Sequence, residues 1–311
     1  MWNLPDRARI VEVGLRDGLQ AIEEPVPTDR KIDMVADMID AGFKEIEVAS
    51  FAHPKVLPQL ADAEEVLANI PRPPDVRFRA LVPNARGAQR AAECELDELA
   101  FVIPAENGMA RKNQGTTTAG LLDQLDEIRR VSRASGQRLI VAVACAFFSP
   151  CFGPVSKSAR DKVIQKAADV GADGVYLATT TGEENPLEVF AGISEAKRDF
   201  SCLEIGTHLH NRNGFAPANA LAALSAGVDW IESSVAGLGG DMWFPGDPTV
   251  LGNMATEDLI HLLDGMGIST GIDLQRVRHI SESLIEETKF PVSSFVSRGG
   301  TREDLANATW D

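Results

Sequence analysis

Glu204-Ile205-Gly206-Thr207-His208-Leu209-His210-Asn211 reads as a short strand that ends in two histidines one residue apart. Side chains at i and i+2 of a strand point to the same face, so His208 and His210 can present two imidazoles to one divalent metal. Taken alone, an H-x-H of this kind also fits two hydrogen-bonded histidines at a strand end. The rest of the chain decides between these readings.

Outward from this run, the same pattern repeats in both directions. Apolar β-type runs at 9–13, 45–49, 76–82, 98–103, 138–144, 174–178, 204–208 and 229–233 alternate with amphipathic helical stretches. Helix punctuation agrees. Thr28 is expected to cap 29–41 with Gly42 ending it, Asn84 to cap the next helix, and 158–170 to stop at Gly171. Eight strand–helix units of about 30 residues match an α/β fold of the (β/α)8 TIM-barrel type better than an open doubly wound sheet. The barrel is expected to occupy 1–270 as the catalytic domain. Residues 271–311 are expected to add a C-terminal helical segment, with one helix at 273–289, and a polar tail from Ser297 that has little to bury.

Composition narrows the function. The 311 residues are 44% hydrophobic, enough for a large core, and no apolar run approaches the roughly 20 residues needed to span a bilayer. The N-terminus lacks a signal-peptide pattern, and Cys94, Cys145, Cys151 and Cys202 show no paired spacing, so a cytoplasmic, reducing setting is expected. A net charge of -16 argues against nucleic acid or an anionic membrane as partner.

A barrel places its chemistry at the C-terminal ends of the strands. Asp17 follows the first strand, Glu47 stands near the end of the second, His208 and His210 close the seventh, and Asn253 lies in a segment beyond the eighth. Asp17, His208, His210 and Asn253 form a ligand set of carboxylate, imidazole and amide oxygen that suits Mg²⁺ or Mn²⁺, with Zn²⁺ as the softer alternative.

Five motifs carry a resemblance. Gly14-Leu15-Arg16-Asp17-Gly18-Leu19-Gln20, Ile46-Glu47-Val48-Ala49-Ser50-Phe51, the H-x-H, Ser234-Val235-Ala236-Gly237-Leu238-Gly239-Gly240 and Gly252-Asn253-Met254-Ala255-Thr256-Glu257-Asp258 occur in register from about 11 to 270. Together they resemble the 3-hydroxy-3-methylglutaryl-CoA (HMG-CoA) lyase family of metal-dependent TIM-barrel enzymes. The resemblance implies retro-Claisen cleavage of HMG-CoA or a related branched 3-hydroxyacyl-CoA to acetyl-CoA and a keto acid, with coenzyme A part of the substrate. It implies that Arg16 stabilises the developing enolate and that Glu47 orients Arg16 or a water near the metal. Lys55, Arg111, Lys112 and Asn113 become the candidate CoA contacts, and pairing into a homodimer is expected. An aldolase or synthase acting on a 2-oxo acid, and a catalytically silent metal- or CoA-binding homologue, are the alternatives.

The departures from the family pattern are local. Asp241 follows Gly240 where the family presents a cysteine, and the loop beyond it, with Trp243 and Phe244, is longer. Asp241 is therefore the candidate proton donor. Thr179 replaces a family aspartate and is expected to face the same cavity. Ser149 stands where a second family cysteine would lie, although Cys145 is kept. The family's lysine beyond the Gly-Leu-Gln motif is acidic here, at Glu23 or Glu24.

Overall fold

The computed structural model describes residues 4–150, 152–240, 252–290 and 294–309. Eight parallel strands close into a barrel: β1 (Ile10–Glu12), β2 (Glu45–Ser50), β3 (Arg77–Leu81), β4 (Glu98–Pro104), β5 (Arg138–Ala144), β6 (Gly174–Thr179), β7 (Glu204–Leu209) and β8 (Trp230–Ser233). Closure occurs where Ile10, Val11 and Glu12 of β1 pair with Ile231, Glu232 and Ser233 of β8. Helices follow the strands, so the repeating unit expected from the alternation of apolar runs and amphipathic segments is the one that forms.

Strand alternation sorts side chains into two populations. Val175, Leu177, Ile205, Leu209 and Ile231 join the large core between strands and helices. Val11, Val13, Ile140, Ala142, Tyr176, Ala178 and Trp230 form a second cluster inside the barrel. Trp230 is the largest of these, and its indole lies against Gly206 and Gly174: a Cβ on Gly206 would stand 2.1 Å from the ring, and one on Gly174 3.0 Å. Bare backbone at these two positions lets one aromatic fill the interior near the base. Below it, Arg9, Arg77 and Arg138 pair with Glu45, Glu98 and Glu204 around the N-terminal ends of the strands.

Several local expectations change. Thr28 begins its helix, Thr28–Asp40, as the first residue rather than the cap, and its hydroxyl donates to Asp62 Oδ2 at 2.8 Å. Asn84 does cap its helix, accepting from Gly87 N, whereas the next expected start is capped by Ser156 over Lys157–Val170. The segment after β5 adds a two-residue hairpin, Phe148–Ser149 with Gly153–Pro154, that the sequence pattern did not suggest. Asp273 caps the helix Leu274–Thr288. Ahead of the polar tail, Ser294 Oγ, Phe295 N and Val296 N all bond to Asp258, and Val296 is buried in the short helix Phe295–Gly299; from Ser297 on, Thr301 is the one buried position among the described residues.

Candidate metal centre

His208 lies in β7, and His210 stands just past the strand's end, bridged to Asn253. The β7–β8 register places Glu232 beside His208, and His208 Nδ1 meets Glu232 Oε2 at 3.1 Å. Glu232 is held below the usual carboxylate range: burial opposes ionisation, but the His208 bond and the Arg79 guanidinium outweigh it. An ionised carboxylate only accepts, so Nδ1 carries the proton and Nε2 faces the open side, 3.9 Å from Asp17 Oδ2. One ligand atom from each of Asp17, His208 and His210 lies within 4.8 Å of the others, and all three residues are buried.

Asp17 reaches this point because the chain leaves β1 in a tight five-residue turn, Gly14–Gly18, with Asp17 N and Gly18 N both bonded to Val13 O. Its Oδ2 accepts from Asn253 Nδ2 at 2.8 Å, and its Oδ1 accepts from Arg16 Nη1 at 2.5 Å and from Gln20 Nε2 at 3.1 Å. Burial works against the charge on Asp17, yet Arg16, His208 and His210 hold its carboxyl well below the ordinary range. Asn253 spends its amide N–H groups on Asp17 and on Leu238 O, which leaves its buried Oδ1 without a partner.

Arg16 is the hub between two acids. Its Nε donates to Glu47 Oε1 at 2.5 Å and its Nη1 to Asp17, so the guanidinium is fixed in orientation while Nη2 stands outside both bonds. Glu47 is fully buried and its second oxygen has no partner; burial pushes its carboxyl up, against the pull of Arg16. A further guanidinium, Arg79, lies inside the barrel and joins Glu98, at 2.8 Å, to Glu232, at 2.6 Å. A continuous chain of charged groups thus runs Glu98–Arg79–Glu232–His208–Asp17–Arg16–Glu47.

This donor set suits a divalent cation. The buried chain holds four carboxylates, of Asp17, Glu47, Glu98 and Glu232, against the guanidiniums of Arg16 and Arg79, with Arg138 meeting Glu98 only at the rim. His208 shows the same bias: burial should depress its pKa, but Glu232 and Asp17 raise it instead. The interior favours positive charge where the three ligand atoms converge, and the orphaned Asn253 Oδ1 is a neutral oxygen of the kind hard cations accept.

The expected residues divide into two groups. Arg16, Asp17, Glu47, His208, His210 and Asn253 come together in one buried cluster. Lys55, Arg111, Lys112 and Asn113 are exposed, in the segment after β2 and on the helix Asn107–Gln114 after β4. Asp241, with the loop through Leu251, lies outside the described residues, as does Cys151. Thr179 departs from expectation. Alternation along β6 points Tyr176 and Ala178 inward and turns Thr179 out of the barrel, where its hydroxyl meets the backbone of β7. Glu232 and Arg79 were missed altogether, although each is a charge at an inward position of a strand otherwise built for burial, which is the signal that would have found them.

The HMGL-like family model matches residues 7–284. The mitochondrial hydroxymethylglutaryl-CoA lyase of Rattus norvegicus is 34% identical over 298 residues, 96% of this chain and 91% of that protein. The hydroxymethylglutaryl-CoA lyase of Pseudomonas mevalonii is 33% identical over 272 residues, 88% of this chain and 89% of that protein. Among solved structures, an HMG-CoA lyase from Acinetobacter baumannii in complex with coenzyme A and 3-methylmalate superposes with a TM-score of 0.92 at 33% identity, covering 98% of each chain. The carboxyl transferase domain of Rhizobium etli pyruvate carboxylase, at 16% identity and a TM-score of 0.69, shares the fold; the alignment covers 97% of this chain and 50% of that one.

Proposed function

The chain belongs to the HMGL-like family, whose matched relatives are carbon–carbon lyases, and we propose that it cleaves HMG-CoA or a related branched 3-hydroxyacyl-CoA by a metal-dependent retro-Claisen reaction. The observation that carries this reading is the direct bond between Arg16 and Asp17, which sets a permanent cation next to the cluster Asp17–His208–His210. Asp17, His208, His210 and Asn253 would hold Mg²⁺ or Mn²⁺, which when bound would supply Lewis acidity toward the substrate's hydroxyl group.

The chain's own residues do the rest. As the carbon–carbon bond breaks, the electron pair moves onto the thioester and negative charge collects on its oxygen. Arg16, locked by Glu47 and Asp17, offers Nη2 to that oxygen without reorienting, so it stabilises the enolate more than the ground state. The unpartnered Oε2 of Glu47 is suited to take up the hydroxyl proton or to order a water beside it. Asp241 returns a proton to the enolate carbon, completing acetyl-CoA and a keto acid.

Lys55, Arg111, Lys112 and Asn113 are assigned to the coenzyme A portion; the complex of the Acinetobacter lyase with coenzyme A supports an acyl-CoA substrate for this fold. A homodimer and a cytoplasmic location belong to the same reading. Relatives include cytoplasmic and mitochondrial lyases, and among the described residues no helix is long and apolar enough to cross a membrane. Incubation with HMG-CoA and branched analogues plus Mg²⁺ or Mn²⁺, with acyl-CoA and keto-acid products followed by mass spectrometry, tests the proposal. Absence of any cleaved thioester, or turnover of a 2-oxo acid instead, overturns it.

A further inference from the structure

β6 and β7 run side by side with Ala178 opposite His208 and Thr179 opposite Leu209. At that point β7 ends, and His210 lies beyond the last rung of the ladder. The Thr179 hydroxyl sits across this end. It accepts the backbone N–H of His210 at 3.0 Å and donates to the backbone C=O of His208 at 3.4 Å, and it is fully buried. One oxygen therefore links the two peptide groups that carry the imidazoles.

We propose that Thr179 is a positioning residue for the metal centre, holding the His208–Leu209–His210 backbone so that both rings meet Asp17; the inference rests on the metal reading of that site. A hydroxyl supplies one donor and spare lone pairs in a single atom, which this seam requires. An ionised carboxylate at the same position could take the His210 N–H but could not donate to the His208 carbonyl. The branched Cβ adds rigidity, since it limits rotation about χ1. A neighbouring bond shows the contrast: Thr207 Oγ1 donates to Leu177 O at 3.0 Å, stitching the same two strands one step earlier, but it engages neither histidine's peptide group.

Binding of Mn²⁺ alone, followed by calorimetry or electron paramagnetic resonance alongside thermal unfolding, tests this in the full chain. Thr179→Val keeps the shape and removes both bonds; its Mn²⁺ dissociation constant is expected to rise about tenfold or more, as when an outer partner of a metal ligand is lost. Thr179→Ser should stay close to wild type. Thr207→Val should lower the unfolding temperature while leaving Mn²⁺ affinity in place. If Thr179→Val does not fold, Thr179→Cys, whose thiol is a weak donor and acceptor, takes its place. Wild-type affinity in Thr179→Val or its replacement overturns the proposal, as does an equal loss in Thr207→Val, which would mark a general loosening of the seam. Failure of the wild type to bind Mn²⁺ would instead overturn the reading of the metal centre beneath it.

Discussion

His208 Nδ1 lies 3.1 Å from Glu232 Oε2, and the other oxygen of that carboxylate takes Arg79 Nη1 at 2.6 Å and Trp230 Nε1 at 3.2 Å. A carboxylate with this many donors is fixed in place, and it fixes the His208 tautomer in turn. Glu232→Gln replaces an obligate acceptor by a group that can also donate, so the Nδ1 proton is no longer specified. Mn²⁺ affinity is expected to fall about 10- to 100-fold, read by titration of the purified variant.

Asp241 stands in sequence directly after the glycine-rich loop and carries the proton-return step in the proposed reaction. Asp241→Asn should reduce kcat by about 100-fold or more, the size usual for a general acid, with Mn²⁺ binding unchanged. Steady-state kinetics on the thioester that the wild type cleaves measures it. A wild-type rate removes Asp241 from the mechanism.

Gly239 has φ +132, and a Cβ there would approach Asn253 Nδ2 to 2.2 Å and Asp17 Oδ2 to 3.2 Å. Both neighbours are held, so neither yields cheaply. Gly239→Ala should displace Asn253 from Asp17, weakening Mn²⁺ binding as well as lowering the unfolding temperature. A surface-like variant with wild-type values on both would show that the loop shifts as a unit.

Glu184, buried in the loop after β6, has its carboxyl pushed up to about 7 by burial, against a bond from Thr181. Between pH 4.5 and about 7 the unfolded chain has lost this proton while the folded chain keeps it. Stability therefore falls as pH rises through that window and levels off above it. Glu184→Gln should erase this part of the slope, gaining roughly 2 to 3 kcal/mol on the wild type between about pH 5 and about pH 8, read from urea midpoints.

The barrel was legible because its cause is periodic. Eight apolar runs at regular spacing leave few topologies; the H-x-H and Asp17 fell at strand ends, where a barrel gathers its chemistry, and Asn253 in the segment beyond the eighth strand. What escaped was decided by position in three dimensions. Glu232 became a partner of His208 only through the β7–β8 register, and Arg79 joined them from a strand far away in sequence. Thr179 was placed on the wrong side because a family aspartate suggested a cavity, whereas alternation from Tyr176 and Ala178 turns it to the neighbouring strand. Thr28 failed as a cap because the helix begins one residue earlier: Pro27 holds the N-cap place and its carbonyl accepts from Lys31 N, so the Thr28 hydroxyl sits within the first turn and donates to Asp62.

Trp230, seated against Gly206 and Gly174 above the ion pairs at the base, fills the N-terminal end of the barrel among the described residues. On the proposed reaction, substrate enters and both products leave through the mouth that the coenzyme A arm occupies. With the base filled, the same mouth would serve entry and release, so acetyl-CoA added at the start should slow turnover of the thioester that the wild type cleaves.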